Sequence, residues 1–273
     1  MDKINHKLKG SSSQKLIKLF LILFFLFGFF NQKTYAAEES VELLKNDWSF
    51  KGFTGKFDRG SLQRGYQVYT EVCASCHSMK YLSYRNLAEE GGPEFTEEEA
   101  KVIASNFEVI DGPNSDGEMF TRPAKPSDKF VSPYKNDQEA MASNGGAYPP
   151  DMSVLVKARK DGANYIYSVL LGYKDAPSDV SLDDGVYYNL YMPGKNIKMP
   201  KPLEDGLIEY NDGTEATEEQ MAKDIVTFLA WSAEPHLESR HKIGFKAIIY
   251  LLILSLLAYF SMKKLWSRIE SEV

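Results

Sequence analysis

Five consecutive residues, Cys73-Ala74-Ser75-Cys76-His77, place two thiols three positions apart with an imidazole directly after the second. This spacing is typical of c-type haem attachment, in which each thiol adds to a porphyrin vinyl group and the histidine binds the iron. A zinc site would need more ligands, but the sequence contains no other cysteine. The remaining histidines all lie beside hydrophobic segments: His6, His236 and His241. A thioredoxin-like redox pair would not require His77, and a plain disulfide is the other alternative.

A haem held in this way needs a ligand on the opposite face of its iron. Methionine is the natural candidate, but Met79 is too close to His77 to reach that face. Met221 belongs to the apolar stripe of a predicted helix, where packing is its expected role. The remaining candidates are Met119, Met141, Met152, Met192 and Met199. The proline-bounded loop around Met199 can hold a thioether at a fixed distance from iron, so this residue is favoured.

Two predicted helices would position these groups. Ser61 is predicted to cap a helix that leads to the haem motif, and Gly65 within it indicates a close helix crossing. Thr217 and Gln220 predict a capping box at the start of the last helix of the domain. That helix carries an apolar stripe made of Met221, Ile225, Phe228 and Leu229.

The sequence of the rest of the domain predicts fewer regular elements. Residues 153–159 and 164–171 are predicted to be helices, the second ending at Gly172. Residues 91–150 and 177–212 are rich in Pro, Gly, Asn and Asp, which is typical of loops. We therefore expect a mostly α-helical domain with long loops around a cofactor.

Hydrophobic segments at both ends indicate export and anchoring. Lysines precede an apolar run over residues 19–30, which is typical of a secretory signal peptide over residues 1–36. As a helix, that run would span only ~18 Å of the ~30 Å hydrocarbon core. Residues 243–262 have the length of a transmembrane helix. These segments predict a periplasmic haem domain over residues 37–242 and a cytoplasmic tail over residues 263–273, in the inner membrane of a bacterium.

The predicted haem domain is strongly acidic. Residues 37–240 contain 35 acidic and 21 basic residues, a balance of −14. The excess is explained either by a solvated surface that maintains solubility or by a docking field for a basic partner. Charge alone favours the first explanation.

Several stretches resemble the cytochrome c1 family, and together they cover nearly all of the expected mature chain in order. They are residues 64–69 with the haem motif, residues 144–153, residues 158–165, residues 211–214 and residues 231–235. The resemblance implies a mostly α, class I cytochrome c-like haem domain with long loop insertions, and a single covalently bound haem c. It also implies the electron-carrying subunit of a ubiquinol–cytochrome c oxidoreductase (bc1) complex. The expected partners are cytochrome b, a Rieske iron–sulfur protein that donates the electron, and a soluble cytochrome c that accepts it.

The resemblance also assigns residues. Cys73 and Cys76 would hold the haem covalently, and His77 and Met199 would be the axial iron ligands. The remaining haem contacts would come from Asn144, Pro149, Pro150, Arg159 and Tyr165. The sequence differs from the family's adjacent prolines after the methionine, because Lys201 separates Pro200 from Pro202.

Two other functions remain open at this point. A membrane-tethered cytochrome c could serve an oxidase or dehydrogenase directly, and co-purification with cytochrome b and a Rieske protein distinguishes that case. A haem sensor or peroxidase would need an open sixth position, which carbon monoxide binding would reveal. Outer-sphere electron transfer requires no catalytic residue, and no nucleic acid is expected as a partner.

Overall fold

The helix that leads to the haem motif is α1, Arg59–Glu71, in a computed structural model that describes residues 41–270. The predicted signal peptide therefore lies outside the described residues. Asp58 caps α1, because its carboxylate accepts a hydrogen bond from Ser61 N at 2.7 Å. The predicted cap at Ser61 is wrong, since Ser61 lies inside the helix and its hydroxyl donates to Asp224. A 3₁₀ turn, Cys73–Ser75, follows the helix.

The second main helix of the core is Glu218–Ala233, which begins directly after the predicted cap residue, Thr217. The Thr217 hydroxyl oxygen accepts from Gln220 N at 3.2 Å, so the predicted N-cap is confirmed. The Gln220 side chain does not complete a capping box, because its amide donates to Asp224 at 2.9 Å. The predicted apolar stripe is buried, including Met221 and Phe228 at 0% exposure.

Gly65 lies where these two helices cross. A β carbon at this position would lie 2.1 Å from the carbonyl oxygen of Asp224 and 2.7 Å from Phe228 Cβ. The predicted close crossing is therefore confirmed. Asp224 is fully buried at the crossing and accepts a hydrogen bond from Arg64 Nε at 2.8 Å. Its buried charge is thus paired, as burial of a carboxylate requires.

The segment between α1 and the later helices contains more regular structure than predicted. It holds α2, Glu97–Ser105, an antiparallel hairpin of β1, Glu108–Asp111, and β2, Phe120–Pro123, and then α3, Asp137–Ser143. The prediction of a loop over residues 91–150 is wrong at these elements. Thr96 with Glu99, and Asn136 with Glu139, supply helix caps that offset the loop-like composition.

The next segment carries a short 3₁₀ turn, Leu155–Ala158, in place of the helix predicted over residues 153–159. Helix α4, Gly162–Leu171, ends at Gly172 as predicted. Two-residue strands, β3 Tyr187–Tyr188 and β4 Asn196–Ile197, pair within the following loops and flank a 3₁₀ turn, Pro193–Lys195. Helix Glu218–Ala233 is α5. We call the described residues before the last helix, 41–236, the head domain. Its regular structure is mostly helical, as predicted.

The chain then enters α6, Leu237–Glu270, which is 34 residues long. It is the one helix among the described residues that is long and apolar enough to cross a membrane, over Leu237–Ser267. The apolar side chains of the predicted span, residues 243–262, are exposed. A continuous helix thus connects the head domain to the predicted anchor.

The close crossing at Gly65 yields a prediction. Gly65→Ala should destabilise the protein by roughly 1–3 kcal/mol or more, because the added methyl group meets backbone that cannot move alone. Gly60→Ala in the same helix is the matched control, because its β carbon would meet no backbone atom, only the side-chain atoms Arg64 Nη1 at 3.3 Å and Asp58 Oδ1 at 3.4 Å. It should be neutral or stabilising by up to ~1 kcal/mol. Urea unfolding measures both variants, and equal effects would contradict the crossing.

Candidate haem site

The two cysteines and His77 share one tight turn at the end of α1. The backbone N–H groups of Cys76 and His77 both donate to the Cys73 carbonyl oxygen, at 3.1 Å and 2.9 Å. Both thiols are free and half-buried. Burial raises the pKa of the Cys73 thiol to about 12, so its sulfur keeps its proton at neutral pH. The turn presents two free thiols within one helical turn of an imidazole.

The His77 ring is oriented by a backbone carbonyl. Its Nδ1 lies 2.8 Å from Pro150 O. A carbonyl can only accept, so Nδ1 carries the hydrogen and Nε2 keeps a free lone pair. Burial lowers the pKa of His77 below its ordinary value, although the Pro150 bond acts in the opposite direction. The ring is therefore neutral at pH 7, which is the form that binds iron.

Asp151 joins the loop that contains Pro150 to the haem motif. Its Oδ2 accepts hydrogen bonds from Ser78 Oγ at 2.8 Å and from Lys80 N at 2.9 Å. Its Oδ1 accepts from Ser153 N at 2.9 Å. Burial acts to raise the pKa of Asp151, but these hydrogen bonds hold it below its ordinary value. Nothing local in the sequence indicates this connection, because Asp151 lies more than 70 positions from Ser78 and Lys80.

The loop over residues 144–150 reaches both sides of the candidate site. Asn144 Nδ2 donates to Tyr134 OH at 3.0 Å and to Ala140 O at 2.7 Å, which fixes the start of the loop. Pro149 lines a cavity of about 160 Å³ together with Cys76. Lys198 Nζ donates to Gly145 O at 3.1 Å. The loop thus contacts His77 near one end and the neighbour of Met199 near the other.

Met199 lies half-buried in the proline-bounded loop. Its carbonyl oxygen accepts a hydrogen bond from Tyr173 OH at 3.0 Å, which anchors the backbone without using the side chain. Tyr165 OH donates to the sulfur of Met192 at 3.5 Å, so that second methionine is engaged. Met119 and Met141 are exposed, and Met152 is buried in the core. Hydrogen bonding and burial thus favour Met199 among the candidates.

Two predicted site residues are not joined to the others by these contacts: Tyr165, whose hydroxyl donates to Met192, and Arg159. The Arg159 side chain is exposed and donates to Ala158 O at 3.0 Å. In residues 41–270, the recorded hydrogen bonds instead connect His77 to Pro150, and the loop of Pro150 to Lys198.

The donor set fits a covalently attached haem. It supplies two free thiols, a neutral imidazole with a free Nε2, and a thioether in a backbone-anchored loop. The described residues contain no group of three or more His, Cys, Asp or Glu side chains that could hold a bare metal ion. These residue types are the ones that a haem site uses.

Comparison with known proteins gives the same family as the motifs. Residues 48–269 match the cytochrome C1 family. The chain is 50% identical to the mitochondrial heme protein cytochrome c1 1 of Arabidopsis thaliana, over 86% of this chain and 76% of the plant protein. It is 47% identical to cytochrome c1 of Rhodospirillum rubrum, over 81% of this chain and 86% of that protein.

A longer relative is the cytochrome b/c1 of Bradyrhizobium diazoefficiens, which is 47% identical over 86% of this chain. This chain spans 37% of the length of that protein. The match to the family extends from Trp48 in the core into the C-terminal helix. The chain belongs to the cytochrome c1 family.

Proposed function

We propose that this chain is the haem-bearing electron-transfer subunit of a quinol:cytochrome c oxidoreductase. It would accept one electron from a Rieske iron–sulfur protein and pass it to a soluble cytochrome c, in a complex with cytochrome b. The observation that carries the proposal is the turn of Cys73, Cys76 and His77, in which the hydrogen bond to Pro150 leaves Nε2 of the histidine free. Membership of the cytochrome c1 family supports the assignment to a bc1 complex.

The two thiols would attach one haem c through thioether bonds. Each sulfur forms a bond to one vinyl carbon, and the hydrogen of the thiol goes to the neighbouring carbon, so the addition needs no oxidant. When bound, the haem supplies an iron that cycles between the ferric and ferrous states. His77 would ligate that iron through Nε2, and Pro150 would hold the ring orientation. Asn144, Pro149, Arg159 and Tyr165 are proposed as further contacts of the haem.

Met199 would supply the sixth ligand through its sulfur. A thioether is a soft donor that favours ferrous iron and raises the reduction potential relative to a nitrogen ligand. A high potential is needed for accepting electrons from a Rieske centre, which can reach about +300 mV. The hydrogen bond from Tyr173 OH to Met199 O supports this role by fixing the backbone of the loop.

The proposed topology is a single-pass protein of a bacterial inner membrane. Residues 1–36 would be a cleaved signal peptide and residues 37–242 the periplasmic haem domain. Residues 243–262 would cross the membrane and residues 263–273 would be cytoplasmic. The single long apolar helix among residues 41–270 supports the anchor.

The attachment chemistry gives the direct test of the proposal. Cys73→Ala and Cys76→Ala should each weaken haem retention through acid–acetone extraction, and the double variant should lose its haem completely. Ser75→Ala, which keeps both thiols in the same turn, is the matched control. Free extraction of haem from the unmodified chain would contradict a c-type attachment.

The axial ligand gives a second test. Met199→His should lower the reduction potential by an amount within the roughly 0.8 V that axial ligands span. Each ~59 mV changes a one-electron equilibrium about tenfold, so even part of this drop would stall electron acceptance from a Rieske protein. Met199→Leu should open the iron to carbon monoxide. A redox titration and the far-red methionine–iron band of the ferric protein measure these effects.

Met192→Leu is the control for this series, because it removes a thioether from the same loop. It should leave both the potential and the far-red band unchanged. If the Met199 variants keep the band and the unmodified potential, another methionine ligates the iron.

The acidic surface gives a test of docking. Electron transfer to a basic cytochrome c should slow as ionic strength rises above roughly 0.1 M, where the screening length falls to ~10 Å. Glu97 and Glu98 are exposed in the first turn of α2, whereas Glu99 accepts from Thr96 N at 2.8 Å and belongs to the capping box. Glu97→Gln/Glu98→Gln therefore neutralises charge without breaking the cap.

This double variant should slow the transfer at low salt and flatten its salt dependence. The exposed pair Asp183 and Asp184, changed to asparagine, is a charge-matched control in another loop. A salt-independent rate in the unmodified protein would assign these charges to solubility alone.

A further inference from the structure

Helix α1 is fixed at its two ends to different parts of the molecule. Its C-terminal end leads into the turn with Cys73, and its first residue, Arg59, contacts the start of α6. The 13 residues of α1 correspond to a rod of about 20 Å. One rigid helix therefore separates the proposed haem attachment from the helix that would enter the membrane.

The contact at the N-terminal end of α1 is a partly buried ion pair with two parallel hydrogen bonds. Arg59 Nη1 and Nη2 donate to the two oxygens of Glu238 at 2.8 Å and 3.0 Å. Glu238 is 8% exposed, and its Oε1 also accepts from Phe57 N at 2.9 Å. A two-pronged arginine–carboxylate pair is directional as well as strong, so it fixes the angle between α1 and α6.

Arg59 also donates hydrogen bonds to a third segment of the chain, which contains Gly91 and Glu94. Its Nε donates to Glu94 at 2.8 Å, and its Nη1 donates to the carbonyl oxygens of Phe57 and Gly91 at 3.1 Å and 3.3 Å. Glu94 in turn accepts from Gly91 N at 3.0 Å. The guanidinium thus joins the loop after Glu90, the segment before α1 and the first turn of α6.

Weaker contacts surround this pair. Lys242 of α6 pairs with Glu90 at 2.6 Å, but both side chains are exposed, and exposed pairs contribute little. His241 Nδ1 lies 3.3 Å from Gly55 O, and Leu237 packs against the core. These contacts cover residues 237–242, the stretch between the head domain and the predicted span. Among these contacts, the partly buried Arg59–Glu238 pair is the one held by two directional hydrogen bonds.

We propose that Arg59 and Glu238 are positioning residues that hold the haem domain at a fixed height and orientation relative to the membrane helix. The chain between the head and the anchor then acts as a rigid joint and not as a flexible linker. Electron transfer between proteins depends steeply on distance, so a fixed orientation keeps the haem within reach of a membrane-bound donor. The inference rests on the haem attachment proposed above.

The test measures the distance between the haem iron and a nitroxide label on α6 in the full chain in lipid nanodiscs. Ser255→Cys supplies the label site, because residue 255 is exposed and Cys73 and Cys76 are consumed by the haem. Pulsed electron paramagnetic resonance should give one narrow distance distribution for this protein. Arg59→Gln should lose the narrow component, whereas covalent haem content and reduction potential stay unchanged.

Arg122→Gln is the matched control, because Arg122 also pairs with two carboxylates, of Asp111 and Asp128, but lies in the β1–β2 hairpin. It should keep the narrow distribution. Glu238→Gln replaces Arg59→Gln if that variant does not accumulate, since its amide oxygen still accepts from Phe57 N. Arg59→Lys, which keeps the charge but loses the paired geometry, should give an intermediate width.

A broad distribution in the protein that carries only the label substitution would overturn the proposal, and so would an unchanged width in the Arg59 and Glu238 variants. Failure of the haem assignment looks different. In that case mass spectrometry would find labels at Cys73 and Cys76 as well as at position 255, and no signal from iron would appear.

Discussion

The absence of a side chain at Gly65 allows α1 to lie directly against the backbone of α5, where a β carbon would meet the Asp224 carbonyl oxygen at 2.1 Å. The crossing buries Asp224 completely, and Ser61, Arg64 and Gln220 supply hydrogen bonds that offset the desolvation of its carboxylate. Because α1 continues into the turn of Cys73 and His77, the crossing sets where the haem ligands stand relative to the core. The loops that complete the proposed site are positioned around this turn.

The loops of the site are ordered by polar contacts more than by regular structure. Asp151 connects the residues after His77 to the loop of Pro150, and Ser232 Oγ donates to Ser153 O at 2.7 Å, which ties that loop to α5. Lys198 then links the same loop to the methionine side. Such contacts explain how long, proline-rich segments can hold a thioether and an imidazole in place, because preorganised ligands need supporting hydrogen bonds around them.

The sequence predicts the features that depend on local pattern and misses those that depend on distant partners. The haem motif, the cap at Thr217, the apolar stripe of α5 and the long C-terminal helix follow from spacing and periodicity. Ser61 was expected to cap α1 because its type suits a cap, but Asp58 fills that role and Asp224, far away in sequence, takes the Ser61 hydroxyl.

The same distinction applies to the candidate site. The hydrogen bond from His77 to Pro150 joins residues 73 positions apart, and nothing local to either residue indicates it. The sequence contains the cap residues of α2 and α3, in Thr96-x-x-Glu99 and at Asn136. The glycine and proline content of the surrounding stretch nevertheless predicts a loop there. The burial of Glu238 against Arg59 likewise joins residues 179 positions apart, so only the tertiary structure reveals it.

In the proposed site, one haem is bound between His77 and a methionine. X-ray absorption fine structure at the iron edge of the purified, reduced full chain measures the atoms bound to that iron. The proposed ligands give one sulfur neighbour and five nitrogen neighbours, four from the porphyrin and one from His77. A shell of nitrogens without sulfur, or a five-coordinate iron, would contradict the proposed site.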